Sequence, residues 1–217
     1  VADGLPEWLR PLAELAGSVQ AEQLAPRFPH PPADARPAAV LICFADGPDG
    51  PELLLTERAP TLRNHAGQIS FPGGACDPGD ADAAATALRE ADEEVGLDPA
   101  EVTVFGILPT LWLPPSNFAV TPVLGYWRRP RQLAAVSTAE VGRVLHHPLH
   151  LLVDPERRFS VEHPSGWRGP AFEIGTEMPL WGFTAGIISR LFERLGWAQP
   201  WDESVVHPLP TPPQERP

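Results

Sequence analysis

The chain has 217 residues, 43% of them hydrophobic, and a formal net charge of −12. That length suits one domain with terminal additions or at most two small ones, and the acidic balance argues against a nonspecific nucleic-acid binder, whose phosphate contacts need clustered cations. No apolar run approaches the roughly 18 residues of a membrane span, no basic-then-apolar signal peptide is visible, and Cys43 and Cys76 make no disulfide framework, so the expectation is a cytoplasmic enzyme.

In chain order, Leu5, Trp8, Leu9, Leu12 and Leu15 trace an amphipathic helix. A proline-rich connector follows, and together they form an N-terminal extension over residues 1–37. The apolar runs Ala38–Ala45 and Leu53–Glu57, joined by the turn sequence GPDGP, read as strands. A helix is predicted over about Ala81–Val95, then strands over Val102–Leu108 and Ala119–Trp127. Leu145–Val153 and Phe159–Glu162 suggest further strand or turn material, and Phe183–Leu195 an amphipathic helix. Strands and helices mixed in this order predict an α/β layered domain over 38–196. The tail, 197–217, is proline-rich and is expected to lack regular structure; its Trp197 and Trp201 are candidates for packing on the domain or on a partner chain in a homodimer.

The run from Phe71 to Leu97, FPGGACDPGDADAAATALREADEEVGL, carries the chemistry. A glycine turn leads into a helix on which Glu90, Glu93 and Glu94 fall within roughly 100° of one another. Ala84, Leu88, Ala91 and Val95 form the opposite, apolar stripe, and Gly96 stands at the expected C-cap. Clustered carboxylates repel weakly in an isolated helix, and a divalent cation reverses that penalty. Hard oxygen donors favour Mg²⁺ or Mn²⁺ over zinc. Gly73 and Gly74 let a backbone carbonyl or amide approach the same ion. By contrast, His146, His147 and His150 carry no zinc reading, because Pro148 interrupts the helix that would bring i and i+4 together. Cys76 has no base beside it to support a nucleophile role.

Arg89-Glu90-Ala91-Asp92-Glu93-Glu94-Val95-Gly96-Leu97 resembles the second half of the Nudix box, and Gly74 fits its opening glycine. Fifteen residue steps separate Gly74 from Arg89, one more than in the general box; the acid of the first half must then be Asp80 or be absent, since Ala81 holds the position counted back from Arg89. The one-residue extension is a habit of the coenzyme A pyrophosphatase branch. Upstream, Leu54-Leu55-Thr56-Glu57-Arg58 and Leu62-Arg63-Asn64-His65-Ala66-Gly67-Gln68-Ile69-Ser70-Phe71-Pro72-Gly73-Gly74 are similar to the extra signature of that branch, with Ala59 where serine is common. Trp181-Gly182-Phe183-Thr184-Ala185 looks like its C-terminal W-G-x-T-A element.

The resemblance implies a Nudix-type α/β/α sandwich with a mixed sheet. It also implies metal-dependent hydrolysis of the pyrophosphate bond of coenzyme A or a derivative, giving adenosine 3′,5′-bisphosphate and 4′-phosphopantetheine or its acyl form. Glu90, Glu94 and the Gly74 carbonyl are the candidate ligands of Mg²⁺ or Mn²⁺. Glu93, or alternatively Glu140, is the candidate general base, with Arg89 orienting a glutamate. Arg58 and Arg63 are candidates for the phosphates, supported by His65 and Gln68, because guanidinium groups pair with phosphate oxygens. The partner expected is thus a small nucleotide of the coenzyme A kind. The alternatives are another nucleoside diphosphate compound, such as ADP-ribose or NADH, or a binding module that has lost catalysis; the presence of all three box glutamates weighs against the last.

Overall fold

The structure is a computed structural model, and it describes residues 4–27, 30–62, 64–164 and 166–210. Strand β1 (Arg36–Gly47) and β2 (Gly50–Arg58) form a hairpin in which Gly47 faces Gly50 across Pro48-Asp49. Then come β3 (Ile69–Ser70), β4 (Gly73–Ala75), β5 (Val102–Ile107), β6 (Leu111–Leu113), β7 (Phe118–Trp127) and β8 (Val141–Pro148), all in one sheet. β7 runs parallel to β1, with Ala39 opposite Thr121, and the other pairings are antiparallel, so the sheet is mixed.

Both faces of the sheet are covered, which is why β1 reads as an unbroken apolar run rather than an alternating one. Successive residues still point to opposite sides. Leu41, Cys43 and Ala45 meet Ala87, Ala91 and Val95 of α3 (Ala83–Val95). Ile42 and Phe44 face the other layer, built by α1 (Arg10–Ala16), α2 (Ala21–Leu24) and α5 (Gly182–Leu195) through Leu12, Leu24, Ile187 and Leu191. The result is the expected α/β/α sandwich. The N-terminal helix is built into this core, since Leu9 and Leu12 are fully buried.

Several elements differ from the sequence reading. The connector contains α2, closed by a reciprocal capping box between Gln20 and Gln23. The segment predicted as strand or turn after Leu145 is strand only to Pro148 and then a short helix, α4 (Leu149–Leu152). A second sheet pairs β9 (Arg158–Glu162) with β10 (Arg168–Phe172) and, in parallel, with β11 (Val206–Pro208), so the tail does form a strand. There the main chain of 203–208 is drawn in by Ser160, whose hydroxyl donates to the Glu203 carbonyl at 2.9 Å and whose amide donates to Val205. Among the described residues no helix is long and apolar enough to cross a membrane.

Candidate active site

The site lies where β4 passes under α3. Asp82 caps the helix by accepting from the Ala85 amide at 2.8 Å, and Gly96 ends it in the left-handed conformation. Beneath, Gly73 and Gly74 pair with Val40 and Ala39. A Cβ on Gly73 would stand 2.4 Å from the Ala39 carbonyl oxygen, and one on Gly74 would stand 2.6 Å from the Glu90 carboxylate. Both glycines are thus required by space.

That close approach draws the carboxylates inward. Glu94 is only 5% exposed, and its Oε2 accepts the Gly73 amide at 3.2 Å. Burial, opposed by that hydrogen bond, pushes its pKa up to about 7, with further upward pressure from Glu90 and Glu140 and a downward pull from Arg58. Glu90, partly buried, is also raised, by desolvation first and by Glu93 and Glu140, against the pull of Arg89. The picture of a core face opposite an acid face therefore needs correction. The helix buries Ala87, Ala91 and Val95 together with Glu94, while Ala84 and Leu88 are only partly covered.

Arg89 organises the other side of the cluster. Its Nε and one terminal nitrogen each donate to Asp80 at 3.0 Å, and its remaining donors reach Glu90 at 3.0 Å, Glu93 at 3.2 Å and the Ala75 carbonyl at 3.1 Å. Asp80 also accepts from the Thr86 hydroxyl and the Asp77 amide, and Arg89 holds its carboxyl far below the usual range. Asp80 is thus the acid that the lengthened box left undecided. Glu93 stays exposed.

Arg58 stands at the end of β2, and Glu140 lies exposed on the turn that precedes β8. The Ala59 amide donates to the Glu140 carbonyl at 2.8 Å, and the amides of Val136 and Ser137 both reach the Glu94 carbonyl. Arg58 is clamped through its backbone by Gln68 and Gly67, and its Nε is buried with no hydrogen-bond partner among the described residues. His65 takes a positive φ of 61° and its Nδ1 lies 2.9 Å from Gln68 Oε1, so these two side chains brace each other beside Arg58. Arg63 lies outside the described residues. The contributions of the Gly73, Val136 and Ser137 amides had no side-chain signal in the sequence.

The donor set suits a hard divalent cation. Two carboxylates, both with their pKa lifted by burial and by like charge, face a glycine strand that leaves no room for a methyl group. Among the described residues no three His, Cys, Asp or Glu side chains converge on one point. A magnesium-type ion is held by one or two carboxylates plus water and substrate phosphate, so the pair matches that pattern. Elsewhere, His146 bonds Glu52 through Nδ1 at 2.9 Å, whereas the next residue, His147, points to the other face of β8 and is buried, with a pKa pushed down to about 4 by desolvation. A cavity of about 440 Å³ beside this pair, lined by Asp46, Asp49, Glu52, Arg131 and His146, sits at the far end of β2 from Arg58, roughly 20 Å along the strand.

Comparison with known proteins bears on this arrangement. The model of the family described as NUDIX domain matches residues 35–145. The protein named Uncharacterized Nudix hydrolase NudL from Cronobacter sakazakii is 40% identical over 184 residues, spanning 80% of this chain and 90% of that protein. Its namesake in Escherichia coli K12 is 40% identical over 172 residues, 74% of this chain and 83% of the relative. Among solved structures, the NUDIX domain of Shewanella oneidensis NrtR complexed with ADP ribose aligns with a TM-score of 0.50 at 16% identity, covering 88% of this chain and 99% of that one. A MutT/nudix family protein from Enterococcus faecalis aligns at 0.52 and 13% identity, covering 88% and 75%. Likenesses of this kind to the solved structures speak for the fold.

Proposed function

The chain belongs to the Nudix hydrolase family, and from that premise we propose that it hydrolyses the diphosphate bond of coenzyme A or a derivative. The products are adenosine 3′,5′-bisphosphate and 4′-phosphopantetheine or its acyl form, and the cofactor is Mg²⁺ or Mn²⁺. One observation carries the choice of substrate: the segment with the LLTER and LRNHAGQISFPGG signatures runs from Arg58 directly into the Gly73-Gly74 strand beneath Glu90 and Glu94.

In this reading Glu90, Glu94 and the Gly74 carbonyl hold the cation, which when bound supplies charge neutralisation at the diphosphate and a more acidic water. Arg89 stays off the substrate; anchored by Asp80, it orients Glu90 and Glu93. The Arg58 guanidinium is assigned to the phosphates, and Arg63, His65 and Gln68 complete that side. Water attacks one phosphorus, the bridging P–O bond breaks, and the proton of the water passes to Glu93 or Glu140. Both acids are carried as candidates: Glu140 bears electrostatically on Glu90 and Glu94, and Glu93 bears on Glu90 while Arg89 engages it.

The test is product analysis of the purified protein with coenzyme A, acetyl-coenzyme A, ADP-ribose and NADH, each with Mg²⁺, Mn²⁺ or chelator. Metal-dependent release of adenosine 3′,5′-bisphosphate supports the proposal. Preference for ADP-ribose or NADH would keep the glutamate chemistry and reject the substrate, and inactivity on all four would point to a binding module.

A further inference from the structure

Helix α3 opens on Ala83-Ala84-Ala85-Thr86-Ala87-Leu88, and the polar residue in that run, Thr86, is fully buried. Alanine is the better helix former at such a position, so a buried hydroxyl there calls for a reason. Its Oγ1 donates to Asp80 Oδ2 at 2.8 Å and lies 3.3 Å from the Asp82 carbonyl oxygen, one turn back along the chain. Thr86 also shares a helix face with Arg89, three residues on, and with Glu90, four residues on. The turn that carries Asp80 lies against that face.

A continuous series of hydrogen bonds leads from that hydroxyl to the acids. Asp80 holds Arg89 through both carboxylate oxygens, and one terminal nitrogen of Arg89 reaches Glu90 at 3.0 Å and Glu93 at 3.2 Å. The turn is closed on itself: the Asp80 amide donates to the Asp77 carbonyl at 3.0 Å, and the Asp80 carboxylate accepts the Asp77 amide at 2.9 Å. Arg89 is long, with several rotatable bonds, so these contacts alone would let turn and guanidinium shift together along the helix. Thr86 prevents this. It turns about a single β-branched torsion whose rotamer is chosen by the Asp82 carbonyl, so its hydroxyl ties Asp80 to the backbone of the helix that carries Glu90. We propose, resting on the assignment of this site to diphosphate hydrolysis, that Thr86 is a positioning residue for the reaction: its hydroxyl fixes Asp80, and Asp80 then sets the guanidinium that aligns Glu90 and Glu93.

Thr86→Val keeps the shape and removes the hydroxyl. It should lower kcat by about tenfold, the worth of one hydrogen bond to a charged group, with KM changed less. Thr86→Ser should recover most of that loss. A threonine that only filled space would give the reverse order, because valine fills the buried site and serine leaves a gap. Combining Thr86→Val with Asp80→Ala should lower kcat no further than Asp80→Ala does alone. If Thr86→Val does not fold, Thr86→Ala against Thr86→Ser makes the same comparison, since those two side chains differ only by the hydroxyl. Calorimetric titration with Mn²⁺ alone reads the contact without turnover: Thr86→Val should weaken binding, and Thr86→Ser should not. A folded Thr86→Val with wild-type kcat and Mn²⁺ affinity, or losses that multiply in the double variant, would overturn the assignment. Inactivity of the wild type toward every diphosphate would reject the proposed function instead, and the Mn²⁺ comparison would still decide the role of Thr86. A wild type that neither cleaves a diphosphate nor binds Mn²⁺ would overturn both.

Discussion

Asp80 grips Arg89 with both carboxylate oxygens, at 3.0 Å each, from a turn that is one residue longer than the general box allows. The shorter aspartate on the longer turn reaches the guanidinium, and Thr86 and the Asp77 amide hold the aspartate in place. Asp80→Asn keeps the shape and removes the charge and one paired acceptor. It should lower kcat by about ten- to a hundredfold, with KM changed less, since Glu90 and Glu93 lose a fixed neighbour rather than the substrate a ligand. Asp80→Glu should fail to rescue, because the extra methylene overfills the turn. Steady-state kinetics on the three proteins decides this, and a silent Asp80→Asn would sink it.

Gly74→Ala should be among the most damaging small changes in the chain. Its methyl carbon would stand 2.6 Å from both Glu90 carboxylate oxygens, so the carboxylate or β4 must move. A displacement of about 1 Å at such a site costs on the order of a hundredfold in rate. Gly186→Ala, in the interior of α5 with open space around it, should leave activity intact and raise stability by up to about 1 kcal/mol. Equal activity in the two variants would refute the steric argument.

Much of the sandwich was legible because two periodicities are strong in this chain. The apolar run of β1 and the helical spacing around Ala87, Ala91 and Val95 each point to one arrangement. Small pieces held by backbone hydrogen bonds were not legible. β3 and β4 are two and three residues long, and β11 depends on Ser160, 46 residues upstream of Val206, to recruit it. At the site, the box marked Glu90, Glu93, Glu94 and Arg89, but the inward turn of Glu94 depends on the Gly73 amide, and amides leave no trace in residue type.

Glu94 and His147 should give opposing pH dependences of stability in the presence of chelator. Glu94 titrates at about 7 folded against about 4.5 unfolded, so it contributes stability below 4.5 that is lost as pH rises through 7. His147 titrates at about 4 folded against about 6.5 unfolded, so its contribution is present above 6.5 and lost as pH falls through 4. Each amounts to no more than about 3 kcal/mol. Their slopes cancel between pH 5 and 6.5, and the wild-type melting temperature should be nearly flat there. Glu94→Gln should expose the rise with pH, and His147→Phe the fall. The same slope in all three melts would contradict the assignment.

Glu94→Gln should also weaken Mn²⁺ binding, because it removes one of the two carboxylates proposed to hold the cation. Divalent ions should raise the melting temperature of the wild type more at pH 8, where Glu94 is ionised, than at pH 6. By mass action, an ion at a hundred times its Kd adds about 2.7 kcal/mol. Absence of that pH-dependent gain in the wild type, or its persistence in Glu94→Gln, would remove Glu94 from the ligand set.

Arg158 joins the tail to the body of the protein. Its side chain is 1% exposed, donates to Ser189 at 2.7 Å, and lies against the rings of Phe172 at 5.0 Å and Trp201 at 4.7 Å. Its Nε and second terminal nitrogen have no hydrogen-bond partner among the described residues, and burial lowers its pKa. A buried guanidinium this poorly satisfied adds little net stability, so Arg158→Met, apolar and of similar length, should melt at or above the wild-type temperature. Trp201→Ala should be destabilising in the wild type, by about 2 kcal/mol where the ring contact is desolvated. In the Arg158→Met background that loss should shrink, leaving a coupling of roughly 0.5 to 2 kcal/mol between the two sites. Additive losses in thermal melts would show that Trp201 holds the tail by other contacts, and a strongly destabilised Arg158→Met would show that the buried charge itself stabilises the fold.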